Sequence, residues 1–420
     1  MKVNLAYGKS QKFIEIADDC RITEVFANKI NRLQTDQTGL VNDSLQHPIN
    51  TENLTAIIRK KNAKNVVIVV NDMTRPTPYK TILPPLFEQL KKAGISKEDI
   101  TLLVALGIHR PHTKEDNLSI FGEEICNQYR IENHNCDENL VSLGKLTNGA
   151  ELIINRTAAE ADLLITTGMV GLHYFAGYSG GRKSVMPGIA ARSLIEANHK
   201  MMNDERAHLG NYENNPVSDF MIEAARKAGV DFILNVVTTG HQEIAYCAAG
   251  DLYDAWVDAV KFCEEMNVVP LDEKVDIVIA SCGGYPKDIN MYQAQKAIDS
   301  AALAVKDGGT IILVAECSEG LGEATFEKWI YEASTQEDII NRFHNAFELG
   351  GHKAFAICRT LRKAEILLVS ELQEKDVRAM FLKPVENLQD ALNQAIKKHG
   401  SNASIMIMSE APKIAVKIQK

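Results

Sequence analysis

Short runs of β-branched and aliphatic residues alternate with amphipathic stretches along most of the chain. The runs predict strands at Val66–Val70, Thr101–Leu106, Leu163–Thr166 and Phe232–Val237, and in a second series at Ile277–Ala280, Thr310–Val314 and Ile366–Val369. The intervening stretches, such as 79–93 and 217–228, have helical periodicity. This alternation is typical of α/β proteins, and we predict two domains with mainly parallel sheets flanked by helices.

The length and one polar segment suggest where the chain divides. A chain of 420 residues is too long for one ordinary core. The segment "NVVPLDEKVD" at 267–276 has the proline and the charges expected at a domain junction. We therefore predict an N-terminal domain at 1–270, with 404–420 as a candidate addition to it, and a C-terminal domain at 275–403.

A polar segment marked by glycine or proline follows each of four predicted strands. These segments are "NDMTRPTP" (71–78), "GIHRPHT" (107–113), "GMVGLHYFAGYSGGRKS" (168–184) and "SCGGYPKDINMYQAQK" (281–296). In parallel sheets the ligand crevice lies at the carboxyl ends of the strands. Their common location predicts one site in the cleft between the two domains.

The segment 177–184 comes within one residue of a phosphate-binding loop. That loop requires glycine, four residues, then Gly-Lys-Ser or Gly-Lys-Thr. Here Arg182 stands at the sixth position, and Pro187 and Gly188 interrupt the chain where a helix should begin. A lysine that follows two glycines, as Lys183 does, could be a covalent amine or a phosphate contact.

The first two segments contain an arginine and two histidines of interest. Arg75 lies on a turn with Pro76 and suits a carboxylate or a phosphate, although a plain turn explains the segment equally well. His109 and His112 have metal-ligand spacing only if they lie on a helix, which Pro111 disfavours. His109 is the better candidate because it is closer to the strand end, and a solvated loop histidine is the alternative.

The remaining candidates are ambiguous when each is taken alone. His173 would usually be a hydrogen-bonded structural histidine, and His199 a surface residue of a helix. Tyr292, Gln293 and Lys296 would be the exposed start of an ordinary helix, with Lys296 one turn beyond Tyr292 on the same face.

The charge balance and the hydropathy exclude two classes of partner. The net charge is −9, and no run of Lys and Arg offsets it, whereas nucleic-acid phosphates require concentrated positive charge. The start of the chain has no apolar signal-peptide core, and the longest aliphatic runs are about strand length. We expect a cytoplasmic protein with no nucleic-acid partner and no membrane partner.

Taken in order, the segments resemble the nickel-dependent lactate racemase family, which includes relatives that act on other 2-hydroxy acids. The resemblance runs through "NDMTRPTP", "ALGIHRPHT", "HYFAGYSGGRKSVMPGIA", "EANH", "GGYPKDINMYQAQK" and "GGTIILVA" and covers most of the chain. It implies an isomerase with an N-terminal domain for cofactor binding and catalysis, and a C-terminal domain that closes over the substrate.

The resemblance also implies the cofactor of that family, the nickel pincer nucleotide (pyridinium-3-thioamide-5-thiocarboxylic acid mononucleotide) with Ni(II). It assigns Lys183 as the covalently attached amine and His199 as the protein's nickel ligand. It further places four residues near the cofactor, namely Asp72, Thr74, Gly180 and Gly181. Three pincer donors and one imidazole suit the square-planar geometry that Ni(II) favours. Such a cofactor implies biosynthetic enzymes as partners.

The implied reaction is racemisation of a small 2-hydroxy acid by hydride abstraction and return. The resemblance assigns His109 and His173 as the two catalytic histidines. Histidine suits both roles because its ordinary pKa of about 6.5 lets it give or take a proton near neutrality. The resemblance assigns substrate binding to four residues, which are Arg75, Tyr292, Gln293 and Lys296.

Two departures from the family pattern concern the substrate. Lactate racemases of the family carry a tryptophan where this chain has "GGHKA", about His352, and a glutamate is more typical at the position of Gly171. Lactate itself is therefore left open beside lactate-like acids. The rivals are a non-catalytic nucleotide- or phosphate-binding regulatory protein and an NAD-type dehydrogenase, the latter weakened because no G-x-G-x-x-G opens a helix after an early strand.

Overall fold

The structure, a computed structural model of the chain, describes residues 1–17, 20–25, 36–240 and 242–419. Its strands are β1 (Lys2–Tyr7), β2 (Ser10–Glu15), β3 (Arg21–Val25), β4 (Val66–Asn71), β5 (Ile100–Ala105), β6 (Arg130–Asn133), β7 (Leu140–Lys145), β8 (Glu151–Asn155), β9 (Leu163–Met169), β10 (Leu172–His173), β11 (Gly177–Tyr178), β12 (Phe232–Thr238), β13 (Ile244–Gly250), β14 (Val268–Leu271), β15 (Val275–Ser281), β16 (Val305–Val314), β17 (Glu365–Val369), β18 (Lys383–Pro384), β19 (Ser404–Met408) and β20 (Ala415–Ile418).

Helices separate most of the strands, as the sequence pattern predicts. They are α1 (Gln37–Gln46), α2 (Leu54–Lys61), α3 (Tyr79–Lys92), α4 (Lys114–Phe121), α5 (Glu123–Gln128), α6 (Arg156–Ala159), α7 (Arg192–His199), α8 (Pro216–Lys227), α9 (Asp254–Asn267), α10 (Met291–Ala304), α11 (Ala324–Glu332), α12 (Gln336–Asn345), α13 (His352–Leu361), α14 (Glu374–Ala379) and α15 (Leu388–His399). Short 3₁₀ turns lie at Lys97–Asp99, Gly181–Ser184, Lys200–Asn203 and Ala411–Lys413.

The chain forms two compact units. The central unit is Ile30–Met266, and the terminal unit combines Met1–Lys29 with Asn267–Lys420. Each unit contains a six-stranded sheet with helices, so the predicted α/β class with mainly parallel sheets is confirmed.

The central unit is organised by the sheet β13-β12-β9-β4-β5-β6, in which only the β12–β13 pair is antiparallel. All six residues of β4 and all six of β5 are buried. Strands covered on both faces read as continuous apolar runs, which is why these two were recognisable from sequence. The loops after β4, β5 and β9 carry the candidate site residues of this unit.

The terminal unit is organised by the sheet β18-β17-β16-β15-β19-β3, which is parallel throughout. The loop after β15 leads to the first turn of α10, and the loop after β16 contacts that turn through Gly320 and Leu321. Strand β19 lies beside β15 in this sheet.

The observed division differs from the predicted 1–270 and 275–403. Strand β3 pairs in parallel with β19, and β1 and β2 contribute Leu5 and Ile14 to the apolar core of the terminal unit. Strand β20 pairs with β14, which places 415–418 in the same unit. These pairings join residues hundreds of positions apart, so local pattern did not reveal them. Residues 18, 19, 26–35, 241 and 420 of the predicted spans lie outside the described residues.

Candidate active site

The loops after β4 and β5 meet in a carboxylate–histidine pair. Asp72 Oδ2 lies 2.6 Å from His109 Nδ1, and the Asp72 side chain is only 1% exposed. Burial by itself raises the pKa of Asp72. The hydrogen bond and charge of His109, with the charge of Arg75, nevertheless hold that pKa below its ordinary value. A carboxylate beside Nδ1 orients the ring and leaves Nε2 as the atom that exchanges a proton.

The other groups of the first loop converge on the same carboxylate. Thr74 Oγ1 donates to Asp72 Oδ1 over 2.8 Å, and Arg75 Nη1 lies 3.5 Å from that oxygen. The Arg75 side chain keeps 31% of its surface exposed, so its guanidinium can still receive a ligand anion. The sequence placed Asp72 and Thr74 near the cofactor and missed the pairing of Asp72 with His109. The pairing depends on the adjacency of β4 and β5 in the sheet, which the local sequence does not contain.

His112, in the loop after β5, forms a hydrogen bond with the loop after β4. The Met73 N–H donates to His112 Nε2 over 3.0 Å, so the ring proton is on Nδ1 and is donated to Asn117 Oδ1, also over 3.0 Å. The ring is buried and both of its nitrogens are engaged. His112 therefore positions the loop that carries Asp72, and His109 is the histidine placed for chemistry.

Lys183 lies on the turn Gly181–Ser184 with its amine inside the central unit. The residue is 7% exposed, and its Nζ lies 3.1 Å from His173 Nε2. Burial, followed by the charges of Arg75 and Arg182, lowers the pKa of Lys183 well below its ordinary value. A buried lysine without a countercharge favours its neutral form.

The hydrogen-bond pattern leads independently to a neutral amine. The Ala176 N–H donates to His173 Nδ1 over 3.2 Å, so that nitrogen is an acceptor and a neutral ring carries its proton on Nε2. Burial lowers the pKa of His173 well below its ordinary value, so the ring is neutral. The Nε2–H must then donate to Lys183 Nζ, which can accept only as an unprotonated amine. An unprotonated lysine amine is a nucleophile.

His199, the last residue of α7, has its donor and acceptor nitrogens the other way round from those of His173. Its Nδ1 donates to the Ile195 carbonyl over 2.9 Å, so the neutral ring keeps a lone pair on Nε2. Burial lowers the pKa of His199 to about 3. A neutral imidazole whose second nitrogen donates to a backbone carbonyl is the usual state of a metal-ligating histidine.

One buried ring organises these three side chains. The Phe175 ring centroid lies 4.7 Å from that of His173, 4.9 Å from that of His199 and 5.7 Å from Lys183 Nζ. Phe175 is 1% exposed. It lies in the segment "HYFAGY" that carries the resemblance, but no local pattern marks it as a site residue.

The two predicted cofactor-binding glycines pack against the protein itself. Gly180 and Gly181 have φ of +77° and +50°, and a Cβ would lie 2.6 Å from Val170 at the first and 2.8 Å from Trp256 at the second. The Gly181 N–H donates to Asn235 Oδ1 over 2.7 Å. The backbone of this turn is therefore fixed by internal contacts, and its contact with a cofactor stays a prediction.

Arg182 explains why this turn differs from a phosphate-binding loop. Its guanidinium is 1% exposed and donates to the carbonyls of Ala176 and Tyr178 over 2.8 and 2.9 Å. It also stacks on Trp256, with 3.8 Å between Cζ and the ring centroid. Arg182 therefore stabilises the turn that carries Lys183.

The charge of Arg75 links the two groups of candidate residues. It contributes to lowering the pKa of Lys183, His173 and His199, besides that of Asp72. The loop after β4 and the segment 173–199 therefore share one electrostatic environment. An anion bound beside Arg75 would act on all of these groups.

A cavity of about 590 Å³ opens beside Arg75 in the central unit, and its lining includes Asp72, Lys80 and Gln242. This volume is in the range of small-molecule sites. A second cavity of about 520 Å³ is lined by residues such as Tyr212, Asp219 and Tyr253, and none of the predicted site residues lines it.

The remaining predicted residues lie on α10 of the terminal unit. Asn290 caps this helix by accepting from the Gln293 N–H over 3.0 Å, and Lys296 Nζ donates to Gln293 Oε1 over 2.8 Å. The Tyr292 ring packs edge-on against Phe326, with centroids 5.9 Å apart. Gln293 and Lys296 therefore form a hydrogen-bonded pair on the first two turns of α10, and Tyr292 precedes Gln293 in the chain.

The structure also shows the surroundings of His352 and Gly171, the two positions that depart from the family pattern. His352 begins α13, is buried, and accepts the Gly350 N–H at Nδ1 over 3.1 Å. A Cβ at Gly171 would meet only Ser179 Oγ within 4 Å, at 3.8 Å. A side chain at 171 would therefore find room, whereas His352 is fixed by its own loop.

No cluster of three or more His, Cys, Asp or Glu side chains in 1–17, 20–25, 36–240 or 242–419 is arranged to hold a metal ion. In the same ranges, no helix is both long and apolar enough to cross a membrane.

Comparison with known proteins gives consistent matches along the chain. The family profile described as the lactate racemase N-terminal domain matches residues 7–210, and that of the lactate racemase C-terminal domain matches 271–416. Two curated relatives, both lactate racemases, are 33% identical over 426 residues (Thermoanaerobacterium thermosaccharolyticum) and 34% identical over 427 residues (Lactiplantibacillus plantarum), each match covering 99% of both chains.

Two solved structures are similar in fold. The lactate racemase apoprotein from Thermoanaerobacterium thermosaccharolyticum matches with a TM-score of 0.91 and 32% identity, over 99% of this chain and 100% of that one. A protein from Thermotoga maritima matches with a TM-score of 0.65 and 20% identity, over 92% and 100% of the two chains. The second match shows likeness of fold alone.

Proposed function

Since the chain belongs to the lactate racemase family, we propose that it interconverts the enantiomers of lactate or of a lactate-like 2-hydroxy acid. The observation that carries this proposal is the pair of imidazoles held in one charged environment. His109 is oriented by Asp72, and His173 is held between the Ala176 amide and the Lys183 amine. A racemase needs two acid–base groups because it works on both faces of one carbon.

His109 and His173 exchange the hydroxyl proton of the substrate, one for each enantiomer. At His109 the exchanging atom is Nε2, and the Asp72 carboxylate stabilises the imidazolium that forms when the ring takes a proton. At His173 the Ala176 amide donates to Nδ1 and the ring proton is on Nε2, so this ring serves as a base at Nε2 only after that contact is released and the proton moves to Nδ1. Each ring acts as a base for one enantiomer and as an acid for the other.

The residues present fit the nickel pincer nucleotide in two respects. Lys183 provides an unprotonated amine in a dry position, as a thioamide tether requires. His199 provides a neutral imidazole with its lone pair on Nε2, as a nickel ligand requires. Held by Lys183 and His199, this cofactor would supply the hydride acceptor that the racemisation requires. The biosynthetic enzymes that supply it are the partners implied.

Cationic and polar side chains are assigned to the substrate carboxylate. Arg75 is exposed enough to grip a carboxylate with two hydrogen bonds. Lys296 and Gln293, already bonded to each other, and the neighbouring Tyr292 provide further donors. Asp72 and Thr74 act through the orientation of His109 and Arg75, and their contact with the cofactor stays a prediction.

A non-catalytic phosphate-binding protein is a weaker alternative. Such a protein would need free backbone amides and a charged lysine in the turn after Gly180. The Gly181 amide is occupied by Asn235, and the Lys183 amine accepts a hydrogen bond as a neutral group.

The proposal is tested with protein produced in cells that make the cofactor. We expect intact-mass analysis to show an adduct on the chain, and D- and L-lactate each to be converted to the racemate, followed by chiral chromatography. Protein from cells without the biosynthetic enzymes is the matched control and should be inactive. A panel of 2-hydroxy acids with larger side chains identifies the preferred substrate. Loaded, nickel-containing protein that leaves every acid of the panel unchanged would refute the function.

A further inference from the structure

A buried lysine lies behind the proposed substrate-binding turn of the terminal unit. Among the residues that the structure describes, Lys183 and Lys353 are the two buried lysines, and Lys353 is 3% exposed. It is the second residue of α13, in the segment "GGHKA". Burial of a lysine is costly unless its amine has a specific partner.

The partner of Lys353 is Tyr292, which it contacts twice. Its Nζ donates to the Tyr292 carbonyl over 2.7 Å and lies 4.5 Å from the centroid of the Tyr292 ring. One amine therefore fixes both the main chain and the side chain of the residue between Met291 and Gln293. A cation over a tyrosine face adds attraction when the site is dry.

Other contacts hold the amides of the same turn. The N–H groups of Met291 and Tyr292 donate to the carbonyls of Gly320 and Leu321, both over 3.0 Å. The turn is thus held from its amide side by the loop after β16 and from its carbonyl side by Lys353. Removing Lys353 would leave the carbonyl side without its side-chain anchor.

The charges around Lys353 come from α10 and α13. On α10 the nearby groups are Lys296 and Asp299, and on α13 Arg359 lies 3.6 Å from Asp299. Burial, followed by the charge of Lys296, lowers the pKa of Lys353 to about 7, while Asp299 opposes this shift. Burial raises the pKa of Asp299, so both groups are pushed towards their neutral forms.

We propose that Lys353 is a positioning residue for substrate binding. It holds the first turn of α10 through Tyr292, and it places a second positive charge behind Lys296. This inference rests on the proposed function, in which Tyr292, Gln293 and Lys296 bind the substrate carboxylate. Lys353 itself is too buried to touch the substrate and acts through the turn.

The proposal has a pH signature with a definite sign. Below neutrality Lys353 is protonated, and its charge strengthens the attraction of the turn for a carboxylate. As the pH rises through about 7 that charge is lost. KM for the hydroxy acid should therefore rise across this interval while kcat changes little. Conversely, a bound carboxylate favours the protonated form of Lys353.

The test compares three variants in the cofactor-loaded enzyme. Lys353→Met removes both the donor and the charge, and it should raise KM about tenfold and abolish the change of KM near pH 7, because one hydrogen bond to a charged group accounts for about tenfold or more. Lys353→Gln keeps an N–H donor and should restore part of the affinity without the pH dependence. Lys363→Met removes an exposed lysine just beyond α13 and is the matched control.

Hydrogen exchange at residues 292–296 gives a readout that does not need activity. Exchange should accelerate in Lys353→Met and stay unchanged in Lys363→Met. If wild-type loaded protein racemises nothing, the proposed function fails, and faster exchange in Lys353→Met alone still supports the anchoring of the turn. Wild-type exchange in Lys353→Met, or wild-type KM and pH profile in an active Lys353→Met enzyme, would overturn the positioning role.

Discussion

The carboxylate of Asp72 should be as important for racemisation as the imidazole that it orients. Asp72→Asn keeps the size of the side chain and removes its charge. An amide nitrogen that faces His109 donates to Nδ1 and moves the ring proton to Nε2. Nε2 is the atom that must accept the substrate proton, so the variant presents the wrong tautomer.

The magnitude follows from the geometry of the pair. Loss of one correctly placed general base costs about 10²–10⁴ in rate, which is about 2.7–5.5 kcal/mol at about 1.36 kcal/mol for each tenfold. The 2.6 Å contact to a side chain that is 1% exposed also contributes to folding, by about 1.5–3 kcal/mol for a hydrogen bond to a charged group. The pKa of Asp72 is lowered in the folded protein, so this stabilisation is present at neutral pH and is lost as the pH falls through the folded pKa.

Three measurements separate these effects. Chiral chromatography gives kcat in both directions, ¹⁵N spectra of the imidazole give the tautomer of His109, and urea unfolding at pH 7 gives the stability. Asp137→Asn is a suitable control, because Asp137 pairs with exposed Arg192 in the same unit. Cofactor occupancy should be equal in all samples. An Asp72→Asn enzyme that racemises at nearly the wild-type rate, with Nε2 still unprotonated, would refute the reasoning.

Three further predictions concern the same unit. Lys183→Ala should abolish covalent attachment of the cofactor, while His199→Ala should weaken nickel retention without preventing attachment. Intact-mass measurement reports the attachment and metal analysis reports the nickel content. An unchanged adduct on Lys183→Ala would exclude Lys183 as the tether. His109→Ala and His173→Ala should each stop full racemisation and show opposite preferences when cofactor reduction is followed with separate D and L substrates; the same preference in both would contradict the two-base assignment. Burial lowers the pKa of His134 to about 4, so at mildly acidic pH the unfolded chain binds a proton that the folded chain does not. About 2 kcal/mol of stability should therefore be lost between pH 6.5 and pH 5. Urea unfolding of His134→Gln should show a smaller loss of stability over this pH interval, and a loss equal to that of the wild type would exclude this histidine as the cause.

The strands and the loops that carry the site were predictable from the sequence because they are local features. β4 and β5 read as continuous apolar runs, and the polar segments after them mark the carboxyl ends of parallel strands. The resemblance then assigned roles residue by residue. Those roles for His109, Lys183 and His199 remain proposals that the geometry supports.

Contacts between distant segments were not predictable in the same way. Nothing in the sequence around Asp72 indicates that its carboxylate faces His109, since the pair depends on the order of strands in the sheet. The pairing of β3 with β19 and the burial of Lys353 against Tyr292 are of the same kind. In each case the residue type is common, and its function is set by a partner that the local pattern does not contain.

The near-match to a phosphate-binding loop illustrates the difference between a pattern of residues and a state of charge. A phosphate-binding loop needs open amides and a protonated lysine, because both must face an anion. In this chain the same letters surround Lys183, but Asn235 occupies the amide of Gly181 and Arg182 is turned inward to hold carbonyls. These contacts of Asn235 and Arg182 remove the anion site. They leave Lys183 buried against His173, which donates to the lysine amine. The position that would be cationic in a phosphate-binding loop thereby becomes a neutral amine, which is the form that a covalent bond to a cofactor requires.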